Sequence, residues 1–275
     1  WKEEFNFDSL NITFLHHNEV KGEISVELAN GLMAYTGASF NYRTPEKHGA
    51  RSIPSGDKPA EYPIRNHYSD LNPYVRLEYT PRQYYCYNNS YKQYLASEWP
   101  TFTLEAAKGI KGLSRTNSDY TRLEFDVHQS IPLGANRSLS YHAGAGAFFK
   151  QKGEYFINYH YFARSQYPTS WEEKIGGTFS LLNDYWYSSS PAYLQWHTMY
   201  ESPFMLLNKI RKISKYVIKE RIYLSHLIAD GKSFYTEFGY GMGNNYFNVG
   251  MFGSMIGFRM SNLGVKFTIE FDQHL

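Results

Sequence analysis

The sequence predicts an all-β protein, an antiparallel transmembrane β-barrel of about 12–14 visible strands that can be part of a larger barrel. Three observations predict it. Apolar and polar residues alternate with period two along most of the chain. Several alternating segments exceed the mean soluble strand of about 5–6 residues and approach the roughly 9–11 that a tilted membrane strand needs. The 275 residues are 18% aromatic and only 20% charged, and Tyr and Trp gather near the ends of the candidate strands, where a barrel carries its aromatic girdles.

In chain order, the first candidate strands are 9–16, 22–29 and 33–43. Segment 74–80 then sets Val75, Leu77 and Tyr79 against Arg76, Glu78 and Thr80. Segment 101–106 sets Phe102, Leu104 and Ala106 against Thr101, Thr103 and Glu105, and 120–128 sets Leu123, Phe125 and Val127 against Arg122, Glu124, Asp126 and His128. Segments 137–149, 176–187, 191–201, 217–227, 233–241 and 246–258 follow, and the last sets Val265, Phe267, Ile269 and Phe271 against Lys266, Thr268, Glu270 and Asp272. Asp230-Gly231, Leu133-Gly134-Ala135-Asn136 and Ser261-Asn262 read as turns. Gly144-Ala145-Gly146-Ala147 lets a strand bend or approach another backbone closely. Pro203 to Tyr216 breaks the pattern: Leu206, Leu207, Ile210 and Ile213 recur at helical spacing, and Lys209, Arg211, Lys212 and Lys215 fill much of the rest. A short amphipathic helix or turn near 204–216 follows, read first as an ordinary connector covering a barrel end and, as the alternative, as a segment able to lie on anionic lipid or hold a partner. The long segments 44–68 and 150–175 are expected to face outside, where barrel loops are longer. No composition shift divides the chain, so 1–275 reads as a single β-barrel domain.

Composition removes other classes. The formal charge of +2 argues against nucleic acid as the partner. Cys86 is the single cysteine, so no internal disulfide forms. No apolar run reaches the roughly 18 residues of a membrane helix. The mean hydropathy of −0.54 suits a barrel, whose lipid face is hidden in alternation, as well as it suits a soluble β-sandwich. The polar faces would then line either a wet lumen or bulk water. The chain carries no phosphate loop, zinc-protease motif, nucleophile elbow or cysteine pair. His16-His17-Asn18-Glu19 lacks metal geometry, because neighbours on a strand point to opposite faces. No metal site and no cofactor are expected. Ser140 with His142, and Asp126 with His128, share strand faces and keep a barrel-embedded surface hydrolase open as an alternative. A soluble glycan-binding module with aromatic stacking platforms is the other alternative.

A resemblance adds to this reading. The run Tyr74 to Pro81 with Gln83-Tyr84-Tyr85, then Trp99 to Leu104, Lys108 to Leu113, and Asp119-Tyr120 with Leu123-Glu124 and His128-Gln129 carry its first half. Phe179 to Leu182 with Tyr185 to Ser188, Tyr193, His197, Leu206 to Ile210, Glu220 to Leu224 and Tyr235 to Tyr240 carry its second. In this order they resemble a family of large Bacteroidota outer-membrane proteins of unassigned function, which begin with a carboxypeptidase-regulatory-like β-sandwich and end in a membrane barrel. The resemblance covers roughly residues 70–275 and is distantly BamA/TamA-like. The N-terminal sandwich is absent and Leu275 is not the aromatic residue common at barrel ends. The chain is therefore expected to be the C-terminal part of a longer protein. The resemblance implies an outer-membrane location and a non-enzymatic role in transport or in assembly and export of envelope proteins. It implies contact with outer-membrane lipid and lipopolysaccharide, and envelope protein partners. The candidate lumen charges are Arg76, Glu78, Arg122, Glu124, Asp126, His128, Lys266 and Glu270, and Lys209, Arg211, Lys212 and Lys215 form the candidate basic segment for a membrane surface or partner.

Overall fold

The computed structural model describes residues 15–45, 53–55, 58–60, 67–89, 91–95, 97–113, 116, 118–134, 136–150, 158, 160, 162, 178–182, 192–203, 205–206, 218–230, 233–244 and 247–269. Fifteen strands follow one another: β1 (Leu15–Ala29), β2 (Leu32–Pro45), β3 (Ile53–Ser55), β4 (Lys58–Ala60), β5 (Tyr68–Tyr79), β6 (Tyr85–Asn88), β7 (Tyr91–Tyr94), β8 (Thr101–Gly109), β9 (Tyr120–Gly134), β10 (Arg137–Phe149), β11 (Ala192–Ser202), β12 (Lys219–Ala229), β13 (Tyr235–Gly243), β14 (Phe247–Ile256) and β15 (Arg259–Ile269). Eleven of them form one sheet in the order β1-β2-β5-β8-β9-β10-β11-β12-β13-β14-β15, and β3–β4 and β6–β7 are separate two-stranded hairpins. Every pairing within the large sheet is antiparallel. The sheet is open, with β1 and β15 as its two edges. Its strands run from 9 residues in β8 and β13 to 15 in β1 and β9, well beyond the usual soluble length of about 5–6.

The alternation seen in the sequence becomes two faces of opposite character, because successive side chains on a strand point to opposite sides. On β9, Glu124 and Asp126 are buried while Leu123 and Phe125 are exposed. On β5, Arg76 is buried between exposed Val75 and Leu77. On β11, Gln195 and His197 are buried and Leu194 and Trp196 exposed. The outer face continues apolar through Ile222, Leu224, Phe238 and Met251 to Leu263, Val265 and Phe267. In an ordinary globular domain the charges would face out and the leucines in.

The interior is filled from within. Phe162, Phe179 and Leu182 pack with Tyr193, Leu227 and Tyr235 into one buried apolar cluster. This differs from two expectations. Segment 176–187 does not form a strand of the wall where it is described: Ser180 and Leu181 spend their N–H groups on the Glu237 carboxylate instead of a ladder. Of 150–175, the described residues 158, 160 and 162 lie inside, with Asn158 and Phe162 buried. The last hairpin also differs. Its turn is at Gly257 (φ +59°), and Ser261-Asn262 lie within β15. Residues 9–14, Glu270 and nearly all of the 204–216 segment, including Lys209, Arg211, Lys212 and Lys215, lie outside the described residues; only Met205 and Leu206 of that segment are described.

Candidate functional site

The pleat brings inward side chains from neighbouring strands into a continuous charged network on the inner face. Arg76 is its first hub, 2.9 Å from Glu78, 3.6 Å from Glu23 on β1 and 3.8 Å from Glu105 on β8. Its guanidinium also lies over the Tyr35 ring, 4.2 Å from the centroid. Arg122 is the second hub, paired with Glu105 and 3.0 Å from Glu124. Glu105 thus links the two arginines across β8. Its place follows from register, since it lies opposite Arg76 on one side and Glu124 on the other. The two carboxylates that face each other across β8–β9 would repel; Arg122 between them offsets this.

Glu124 then joins the wall to the interior segment. It accepts hydrogen bonds from the Tyr193 hydroxyl at 2.7 Å and the His160 imidazole at 2.8 Å, and the His160 ring stacks on Tyr193 at 4.4 Å. Gly146 makes this possible: a Cβ there would fall on the Tyr193 ring. Glu237 is a second anchor. It takes the backbone N–H of Ser180 at 2.6 Å, that of Leu181 at 2.7 Å and the Tyr235 hydroxyl at 2.8 Å. Two wall carboxylates therefore hold the interior segment. A third carboxylate, Glu220, lies on the other face and accepts the N–H groups of Met205 and Leu206.

A cavity of about 430 Å³ lies between edge strand β1, strands β2, β5, β8 and β9, and the interior residues Asn158 and His160. Its walls mix charges of both signs, among them Glu19, Lys21, Arg43, Asp70 and Arg122. The arrangement suits a hydrated, polar interior rather than a dry ligand pocket.

Of the expected interior charges, Arg76, Glu78, Arg122, Glu124 and Asp126 meet in this interior; His128 is half-exposed beside Asp126, and Lys266 points to the same side, over the Phe252 ring at 5.9 Å. Glu23, Glu105, Glu237 and His160 were not among the charges expected to face inward, and Tyr193 was named only as a strand-end aromatic and for the resemblance. Glu105 lay on a recognised polar face, whereas His160 sits in a stretch with no periodicity to announce it. Ser140 donates to Ser130 at 2.9 Å, and His142 is 2.7 Å from Asp126. The two members of that suggested catalytic pair have other partners.

Fold and site together define an all-β protein with an apolar outer face and an ion-paired, internally filled inner face. The family described as "Family of unknown function (DUF5686) C-terminal domain" matches residues 6–242, and the chain belongs to it. No curated protein matches the chain.

Proposed function

We propose that this chain forms the wall of an outer-membrane β-barrel, not an enzyme, that serves transport or the assembly and export of envelope proteins within a complex. The observation that carries this reading is the inverted polarity of the sheet. Glu124, Asp126, Arg76 and Glu237 are buried, while Leu123, Phe125, Val265 and Phe267 are exposed. A monomer in water rarely exposes a contiguous apolar patch beyond a few hundred Å², and a lipid-facing wall requires one. Exposed aromatics gather toward strand ends: Tyr79, Tyr87, Tyr91 and Trp99 at one end, Phe149, Phe234 and Phe258 at the other. They suit two headgroup boundaries. The outward belt would contact lipid and lipopolysaccharide, and the free edges would meet envelope proteins.

The filled interior supports a closed resting state. Passage through it requires the segment held by Glu124 and Glu237 to move. The test is expression of the chain behind a signal peptide, isolation of outer membranes, and gel mobility before and after boiling. Recovery in the outer membrane with a heat-dependent mobility shift is expected. Recovery as soluble periplasmic protein without a shift would overturn the reading in favour of a soluble binding module.

A further inference from the structure

The geometry points to a binding site for one divalent transition cation of the zinc class at Asp126, His128 and His142. Asp126 and His128 are two apart on β9, so the pleat puts both on one face. His142 is the direct cross-strand partner of His128 in the β9–β10 register. Three ligands thus converge from two hydrogen-bonded strands, a scaffold more rigid than a loop.

The distances fit. The His142 Nε2 is 2.7 Å from one Asp126 oxygen, and the His128 Nδ1 is 3.3 Å from the other. All three donor atoms lie within 4.8 Å of one another. Metal–ligand bonds of about 2.0–2.2 Å in a tetrahedron separate adjacent ligand atoms by roughly 3.3–3.6 Å, a spacing that small side-chain rotations would reach from these positions. The rings of His128 and His142 are tilted by 57° with centroids 5.3 Å apart, which leaves room to aim both nitrogens at one point.

The donor set selects the ion. Two imidazoles and one carboxylate suit zinc and its neighbours, whereas calcium and magnesium take oxygen ligands almost alone. Three protein ligands with a free fourth place are the pattern of an open rather than a closed zinc site. Burial is graded accordingly: Asp126 is wholly buried at the back, and the His128 side chain is 47% exposed at the front. Bound there, the cation would neutralise Asp126 and clip β9 to β10.

The test uses the full chain, purified without a histidine tag, stripped with EDTA and titrated with Zn²⁺ by calorimetry and with Co²⁺ by visible absorption. One equivalent per chain and a tetrahedral Co²⁺ band are expected. His128→Ala, Asp126→Asn and His142→Ala should each weaken binding at least 10-fold, by analogy with losses of about 10–100-fold from outer-shell changes alone. His226→Ala removes a histidine on β12 that bonds Thr236 and should leave the affinity unchanged. Absence of saturable binding would overturn the proposal, as would equal affinity in His128→Ala, whose half-exposed position lets the variant fold. Binding is read on isolated protein and does not depend on cellular location, so its failure and the failure of the barrel reading are separate results.

Discussion

At the scale of single residues, the faces of the sheet make opposite demands. Phe125 is 43% exposed on β9 and stacks on Phe102 at 6.4 Å. In a water-facing wall, Phe125→Arg would cost little, because surface changes lie within about ±0.5 kcal/mol. In a lipid-facing wall, Arg near mid-depth costs about 2–4 kcal/mol. The barrel reading predicts the larger loss, checked by urea unfolding in lipid vesicles. Its inward neighbour Glu124 is held by an arginine, an imidazole and a phenol. Glu237 carries a different load, the backbone N–H groups of Ser180 and Leu181. Glu237→Ala leaves both donors without their acceptor at about 1–3 kcal/mol each. Hydrogen exchange at the Ser180 and Leu181 amides should accelerate, while exchange in β9 and β10 stays as before.

At the scale of elements, close contacts between strands and what covers them decide stability. Gly146→Val would push the Tyr193 ring off β10 and break its bond to Glu124. Overpacking of this kind costs about 1–3 kcal/mol, and a lower unfolding midpoint with faster exchange around His160 is expected. The β6–β7 hairpin is tied to edge strand β1 by the Lys92–Glu27 ion pair, with the Lys92 ammonium 4.3 Å from the Tyr85 ring centroid. Glu27 raises the Lys92 pKa. A raised amine pKa contributes below the unfolded value and is lost as pH rises through the folded one. Proteolysis of the hairpin should therefore quicken only above the ordinary lysine range, and at neutral pH in Lys92→Met. Wall strands such as β5, β8 and β9 were legible in the sequence because each has one apolar and one charged face, so period two survives intact. The interior segment was not. Phe179 and Leu182 are spaced to fill a hole left by strands remote in the chain, and no local period records such a hole. The β14–β15 turn escaped notice because apolar residues run straight through it, and the single signal is the left-handed Gly257. The charged faces announced Arg76 and Glu124, but not that His142 would land across from His128, since pairing register is a property of two strands and not of either alone.

At the scale of the whole molecule, the interior segment and the open sheet set the expected behaviour. With the apolar cluster of Phe162, Phe179 and Leu182 in place, the protein in planar bilayers should conduct little, and Glu237→Ala should raise the frequency of openings; a steady, large conductance in the unaltered chain would contradict a closed interior. The open sheet has a further consequence that follows from counting alone. Ten successive reversals of direction separate β1 from β15 across the eleven-stranded sheet, so these two edges point the same way. An antiparallel ladder cannot join strands that point the same way. A ring that keeps one hydrogen-bonding pattern all round must therefore contain an even total, and this sheet reaches one only by admitting an odd number of additional strands between its edges. Counted over the described residues, one further strand, antiparallel to both edges, is the smallest addition that gives an even ring.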